Sequence, residues 1–450
     1  MSAVSIDSQP SFVHATDAVT SLPATTPVER QGALRRGLFR FGFCYWILFC
    51  IPIIGVPIPG VENPAVLARW WGALMVWVGR NVFGITREIP LEQTGSGDTT
   101  SDWLSLFSFA VIALLLALVW SLADRRSISH PRAKELLRVL LRYALAFTML
   151  GYGVIKLFRG QFPEPGVGRL LERYGDSSPM GLLWAFMGYS GPYIIFTGAA
   201  ETLGACLLFF RRTTALGALV LSVVLTNVVM LNFCYDVPVK INSTHYLIMA
   251  IVLLLPDLQR LADLLIFHRP TVPRRQALEL PRRWMRIARV LAKYGLIAST
   301  LVMNVVGARE SSASMAPQTW YDGYWDVEQM TRNGADVPAL MTDTTRWKRI
   351  KTESFQGKSW LRWHNLDGSM GPLYTLVVDD DKHTMTLTAA EPKAPDVSPL
   401  LITRPDAAHL RLSGRIGKDA VTVSLQRFEP GKMLLLSRGF HWVNEVPFNR

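Results

Sequence analysis

Charge is what this sequence is short of. Only 18% of its 450 residues are charged while 50% are hydrophobic, whereas a soluble chain of ordinary composition is about one-quarter charged. Cysteine is scarce as well: the four present cannot build a disulfide scaffold, and no CxxC spacing of zinc or redox type occurs. Cys44, Cys50, Cys206 and Cys234 read as buried thiols, with a Cys50–Cys234 pair left open. No haem, flavin, iron–sulfur or metal motif is present, so a redox role would need partner subunits or an external donor. The glycine-rich Gly95-Ser96-Gly97-Asp98-Thr99-Thr100 lacks the lysine and strand–helix context of a phosphate loop. An ordered loop or a helix cap at Asp98 is expected there instead.

The missing charge is concentrated in long apolar runs. A membrane span needs about 20 such residues, and about seven segments qualify: roughly 38–56, 103–122, 138–157, 192–210, 213–233, 245–265 and 286–306. The net charge of +12 does not form a nucleic-acid footprint. Its basic residues cluster just outside apolar runs, at Arg35, Arg36 and Arg40, at Arg125 through Arg138, at Arg211 and Arg212, and at Arg260 through Lys293. That is the positive-inside pattern. It places the N-terminus in the cytoplasm and everything after the last span outside, in a multi-pass protein of a bacterial inner membrane. Residues 1–34, rich in Ser, Thr, Ala and Pro, read as a disordered cytoplasmic tail. No cleavable signal peptide is expected, since the first apolar run begins near Leu38.

Three domains follow: the tail, a transmembrane bundle over 35–307, and an extracytoplasmic β-rich unit over 308–450. Between the first two spans, Leu67, Trp71, Leu74, Met75, Val78 and Val82 share one helical face, so Pro64–Phe83 reads as a helix lying in the membrane interface. Gly166–Tyr174 and Met180–Gly188 read as short outer helices. Beyond Met315 aromatic and polar residues alternate. Leu373–Val378 and Thr384–Thr388 flank one turn, and His409–Ser413 and Ala420–Gln426 another. With strands near Trp325, at Trp360–Trp363, at Arg346–Ile350 and at Met433–Leu436, a small antiparallel sandwich or closed barrel is the expected fold. The opening Gly323-Tyr324-Trp325 resembles the Gly-x-Trp start of lipocalin-type barrels, with Arg438 as the possible partner of the tryptophan. The aromatic segment Ser437–Arg450 is expected to dock on the outer mouth of the bundle, near His245 or the interfacial helix, or to complete the β core.

Ionisable groups at membrane depth cost several kcal/mol unless paired or hydrated, which singles out Lys156 and Glu201. At ~1.5 Å per residue Lys156 lies roughly 28 Å along its span, near the outer interface, and Glu201 roughly 14 Å into the next. Tyr152, Asn227, Asn232 and His245 complete a candidate polar column open on the outside. In it Lys156 acts either as a base toward an acidic proton or, beside a carboxylate, as an electrostatic clamp. Glu201 is a proton acceptor, and Tyr152, Asn227, Asn232 and His245 line the cofactor site. Gly198, Ala200, Gly204 and Ala205 would allow close helix packing.

Gly151-Tyr152-Gly153-Val154-Ile155-Lys156-Leu157, Gly198-Ala199-Ala200-Glu201-Thr202-Leu203-Gly204 and the pair Arg211-Arg212 resemble the DoxX/DoxD superfamily of small four-helix membrane proteins, over about 138–265. The same helices are more distantly similar to the membrane domain of vitamin K-dependent carboxylases. There a Gly-x-Lys-Lys-Leu run ends the corresponding helix, and its second lysine is the base acting on the reduced vitamin. Lys156 matches that lysine, but Ile155 stands in place of the first, and the large lumenal region has no counterpart, so carboxylation is not implied. DoxD-type proteins belong to thiosulfate:quinone oxidoreductases and the carboxylases oxidise a quinol. The joint resemblance implies a membrane quinone as ligand and quinone-linked redox chemistry. Two alternatives stay open: a non-enzymatic anchored module whose β domain binds a partner or lipid, and a small-molecule transporter.

Overall fold

A computed structural model describes residues 32–54, 64–92, 94–124, 130–272, 282–314, 319–340, 343–355, 357–392 and 394–449. The expected tail over 1–34 lies outside them except for its last three residues. The helices are α1 (Ala33–Ile54), α2 (Pro64–Asn81), α3 (Thr100–Ala123), α4 (Pro131–Leu157), α5 (Val167–Leu171), α6 (Pro179–Tyr189), α7 (Gly191–Leu208), α8 (Thr214–Cys234), α9 (Lys240–Leu254), α10 (Leu258–Leu265) and α11 (Arg283–Ser314). Their starts are written in local chemistry. Thr99 and Asp102 form a capping box on α3, and proline sits in the first turn of α4, α6 and α7, where its missing N–H costs nothing. The cap expected at Asp98 exists but serves a distant helix. Its carboxylate accepts from Lys240 N at 2.8 Å and Ile241 N at 2.9 Å, closing the N-terminus of α9.

Among the described residues, five helical stretches are long and apolar enough to cross a membrane: Thr100–Ala123, Pro131–Leu157, Gly191–Leu208, Arg211–Cys234 and Arg283–Ala313. The segment expected to span 245–265 is divided. α9 ends at Leu254, a 3-10 turn runs Leu255–Asp257, and α10 follows. Pro256 removes a helical N–H there, and buried Asp257 is held by Arg138 at 3.0 Å and Arg260 at 2.6 Å. The short outer helices appear as α5 and α6. On α2 only part of the predicted face is covered. Met75 and Val78 are buried against Leu104 and Ile89, and Trp71 donates to Ser105 Oγ at 3.0 Å. Leu67, Leu74 and Val82 remain exposed.

The helical core is one cluster built from α1, α4, α7, α8 and α9, with Leu141, Leu145, Met149, Leu208, Leu221 and Met249 at its centre. α7 comes very close to both neighbours. A Cβ on Gly198 would lie 2.9 Å from Gly153 O on α4, and one on Gly217 of α8 would lie 3.0 Å from Gly204 O. Small residues are what let these backbones approach, as expected of Gly198 and Gly204.

The C-terminal unit is a closed antiparallel barrel. β1 (Gly323–Arg332), β3 (Trp347–Phe355), β4 (Lys358–Asn365), β5 (Tyr374–Asp379), β6 (Thr384–Ala389), β7 (Leu400–Thr403), β8 (His409–Ile416) and β9 (Asp419–Arg427) pair in sequence, and β9 returns to β1. The two-residue β2 (Ala335–Asp336) hangs on β1. Closure rather than sandwiching removes every edge. Inward residues alternate with period two, as in Val421, Val423 and Leu425 of β9. The interior is filled by side chains, with Trp347 stacked on Trp363 at 4.4 Å and Trp363 on Tyr374 at 5.4 Å, as an eight-stranded barrel of this width permits.

Two expectations in this domain are corrected. Met433–Leu436 is not a strand: Leu434–Ser437 forms the short helix α12, and β9 is the closing strand. Arg438 is therefore not the partner of Trp325. Arg427 is, with its guanidinium 5.5 Å from the Trp325 ring and donating to Trp320 O at 3.2 Å and Asp322 O at 2.9 Å. The segment expected to dock on the bundle stands exposed, with Trp442 91% exposed, and it contributes nothing to the barrel's buried core. All four cysteines are free, so Cys50 and Cys234 do not pair; Cys44 and Cys50 are buried as expected, but Cys206 and Cys234 are exposed.

Candidate functional site

The α4–α7 crossing brings Lys156 and Glu201 into direct contact. Lys156 Nζ donates to Glu201 Oε1 at 2.5 Å, and the two residues are 6% and 3% exposed. The sequence had put them at different depths, Lys156 near the outer interface. The chain instead ends α4 at Leu157, beside the middle of α7. Glu201 is ten residues into α7, ~15 Å from its start, so α4 stops well short of the beginning of α7. From the segment between them, Phe162, Leu183 and Met187 pack with Ile194 near the start of α7.

The closest approach of the two helices lies one turn away. Gly153 and Gly198 face each other, and a Cβ on Gly198 would also press on Lys156 Cβ at 2.9 Å. Glycine at both positions is thus what allows an ion pair to bridge two helices at this depth. Such a pair offsets the desolvation of each charge only if its remaining hydrogen-bonding capacity is also met. Here it is not: Glu201 Oε2 is buried without a hydrogen-bond partner, as is the adjacent Thr202 Oγ1. The carboxylate has an oxygen to spare.

Tyr152 lies beside the pair, its ring 5.9 Å from Lys156 Nζ and 6.4 Å from the Tyr246 ring. It also walls an open groove of about 430 Å³ between α4 and α11, lined by Thr148, Gly151, Ile155, Met303 and Asn304 among others. Asn304 is a site residue that the sequence reading passed over. Its side-chain oxygen faces Gly151, 3.1 Å from where a Cβ would stand, and its amide donates to Thr300 O at 2.8 Å. The available signal was an asparagine set among Leu301, Val302, Met303, Val305 and Val306.

The rest of the expected column is not assembled. Asn227 is exposed on α8. Asn232 is buried, with its Nδ2 unpartnered. His245 belongs to an aromatic cluster between α1 and α9, with Phe49 stacked on it at 4.3 Å. Its Nδ1 meets Ile241 O at 2.7 Å and its Nε2 meets the Tyr45 hydroxyl at 2.6 Å. A carbonyl can only accept, so Nδ1 carries the proton, and in the neutral ring Nε2 accepts from Tyr45. Both ring nitrogens are occupied within the protein. The described residues contain no group of three or more metal-ligating side chains.

Fold and site together define a helical bundle with an internal lysine–glutamate bridge, followed by a closed β-barrel. The chain belongs to the same family as the uncharacterized protein YwoB of Bacillus subtilis (strain 168), to which it is 35% identical over 138 residues, 31% of this chain and 86% of that relative. That name assigns no activity to the relative. No family model matches the chain, and no solved structure matches it.

Proposed function

We propose that the protein is a multi-pass, DoxX-like membrane protein that handles a membrane quinone at the Lys156–Glu201 bridge. The observation that carries this reading is the unpartnered Oε2 of a buried glutamate whose other oxygen is held by lysine. Such an oxygen is placed to accept the hydroxyl proton of a quinol. Lys156 is then the clamp that keeps the carboxylate in position, rather than the base that the carboxylase resemblance implies. The groove walled by Tyr152 and Asn304 is lined by neither Lys156 nor Glu201; Tyr152, whose ring lies 5.9 Å from Lys156 Nζ, is its link to the pair. The electrons of quinol oxidation go to an acceptor supplied by a partner subunit or an external redox protein. The barrel is packed with its own side chains, which favours the bundle over the barrel as the ligand site.

In this reading α1 and the divided α9–α10 join the five apolar stretches as spans. The N-terminus is then cytoplasmic and the barrel extracytoplasmic, in a bacterial inner membrane. α3 and α11 support insertion, since they are apolar with little or none of their span buried in the protein, as a helix facing lipid requires.

Extraction of quinone from purified wild type, Glu201→Gln and Tyr152→Phe protein tests the reading. Wild type is expected to carry quinone and Glu201→Gln to lose most of it at unchanged helicity. Absence of quinone from wild type, or equal content in Glu201→Gln, would leave the bridge a structural bolt between α4 and α7.

A further inference from the structure

The segment after the barrel folds on itself. The Arg438 guanidinium lies 4.2 Å from the Phe448 ring and donates to Asn444 Oδ1 at 2.6 Å. Asn444 in turn donates to His441 O at 3.3 Å. These contacts draw 438–448 into a loop closed by its own polar groups. Its apolar side chains do the reverse. Phe440, Trp442, Val443 and Val446 all stand exposed, with the Phe440 and Trp442 rings edge to face at 5.0 Å. Leu434 and Leu435 of α12, just before the loop, are exposed too. Exposed apolar surface gathered in this way marks a contact site, and none of these residues belongs to the barrel core.

Where the loop stands decides what it meets. β9 runs antiparallel to β1, with Arg427 opposite Trp325, so the chain leaves the barrel at the end where it entered. Phe428 N donates to Tyr324 O at 2.8 Å, and the Arg349 guanidinium lies 4.3 Å from the Phe428 ring, which holds the exit there. The entry is tied to α11. That helix ends at Ser314, and the chain from there to Thr319 reaches at most ~17 Å. α11 arrives beside the end of α4, where a Cβ on Gly160 would lie 3.3 Å from Ser311 Oγ. A Cβ on Gly168 of α5 would lie 2.5 Å from the Tyr324 hydroxyl, so the entry end of the barrel also meets the short outer helix. α11 is one of the five stretches apolar enough to span, and in the multi-pass reading its end lies at the membrane surface. Barrel entry, barrel exit and α5 then share that surface. A soluble partner needs no such placement, but a bilayer does. Tryptophan collects at the level of the headgroups, and a segment lying in that layer buries apolar side chains while its polar groups keep partners within the protein. Arg438, Asn444 and the His441 carbonyl are partnered in that way.

We propose that the loop 438–448 inserts Phe440, Trp442, Val443 and Val446 into the headgroup layer of the bilayer and so holds the entry end of the barrel against the membrane. The inference rests on the apolar helices lying in a bilayer and not on the quinone reading, so the two can fail separately. The test is electron paramagnetic resonance of the full chain in phosphatidylcholine nanodiscs holding one chain each. A nitroxide is attached at Val443→Cys or, as the control, at Lys418→Cys in the β8–β9 turn at the far end of the barrel. Both are made in a Cys206→Ala/Cys234→Ala background, which removes the exposed native thiols. Oxygen concentrates in lipid and a nickel chelate in water. Oxygen, relative to the chelate, is expected to relax the label at 443 severalfold more than the label at 418. Phe440→Ser/Trp442→Ser is expected to return the label at 443 to the value at 418. Equal ratios at the two positions without those substitutions would overturn the proposal. A label at 443 shielded from both reagents would overturn it as well, since that marks contact with protein. So would a label at 443 that stays in lipid in Phe440→Ser/Trp442→Ser.

Discussion

At the scale of the residue, the Lys156–Glu201 bridge is defined by what removing half of it would do. Deleting one member of a buried ion pair strands the other charge and costs about 3–5 kcal/mol, whereas replacing both with apolar residues of similar size is far milder. Lys156→Met is therefore expected to lower the unfolding midpoint in detergent much more than Lys156→Met/Glu201→Leu does. A double variant as unstable as the single would contradict the pairing. On the barrel surface, His409 Nδ1 meets the Asp406 carboxylate at 2.9 Å. The hydrogen bond raises His409 from its ordinary 6.5 and lowers Asp406 from its ordinary 3.8. The histidine's contribution to stability is complete below pH about 6.5 and fades as pH rises through its raised value. That of the aspartate is complete above pH about 3.8 and fades as pH falls through its lowered value. NMR titration should find His409 above an ordinary histidine in wild type and back near it in Asp406→Asn. Lys156 and Glu201 were legible in the sequence because charge in an apolar run is expensive wherever it falls. Asn227 and His245 were not, because depth along one helix does not say which way a side chain faces. Trp325 was legible too, but its partner was misplaced: the leucine run before Arg438 was read as the closing strand, when Arg427 ends it.

Elements were most legible where a period was sustained. Period-two alternation located β1, β3, β4, β5, β6, β8 and β9, and apolar length located the long helices. The four residues of β7 are too few to show a period. Met433–Leu436 could not be told from a helix by hydrophobicity alone, and Pro256 divided a run that length alone would have kept whole. The crossing of α4 and α7 depends on Gly153 and Gly198, so Gly153→Ala forces the helices apart. A cost of about 1–3 kcal/mol is expected, the range for overpacking, along with a looser Lys156–Glu201 bridge. Asp98→Ala removes the cap of α9 and should cost about 1 kcal/mol. Thermal unfolding of both variants checks this, and Gly153→Ala should be the worse. A neutral Gly153→Ala would mean that the helices do not meet there.

The whole molecule joins a bundle whose outer faces are apolar to a barrel that needs nothing from the chain beyond β9 for its core. Deleting residues 438–450 should therefore leave barrel unfolding unchanged within a degree or two; a large fall would mean that the exposed segment packs after all. At this scale the division into bundle and β unit was plain from composition, but the fit between them was not, because nothing in one domain's periodicity constrains the other. The central claim is that a quinone sits where Tyr152 and Asn304 wall the groove beside the Lys156–Glu201 bridge. Photolabelling of the reconstituted protein with an azidoquinone, mapped by peptide mass spectrometry, tests it most directly. The account predicts label on α4 near Tyr152 and on α11 near Asn304, competed away by unmodified quinone and lost in Glu201→Gln. Label confined to other helices, or label that quinone does not displace, would contradict it.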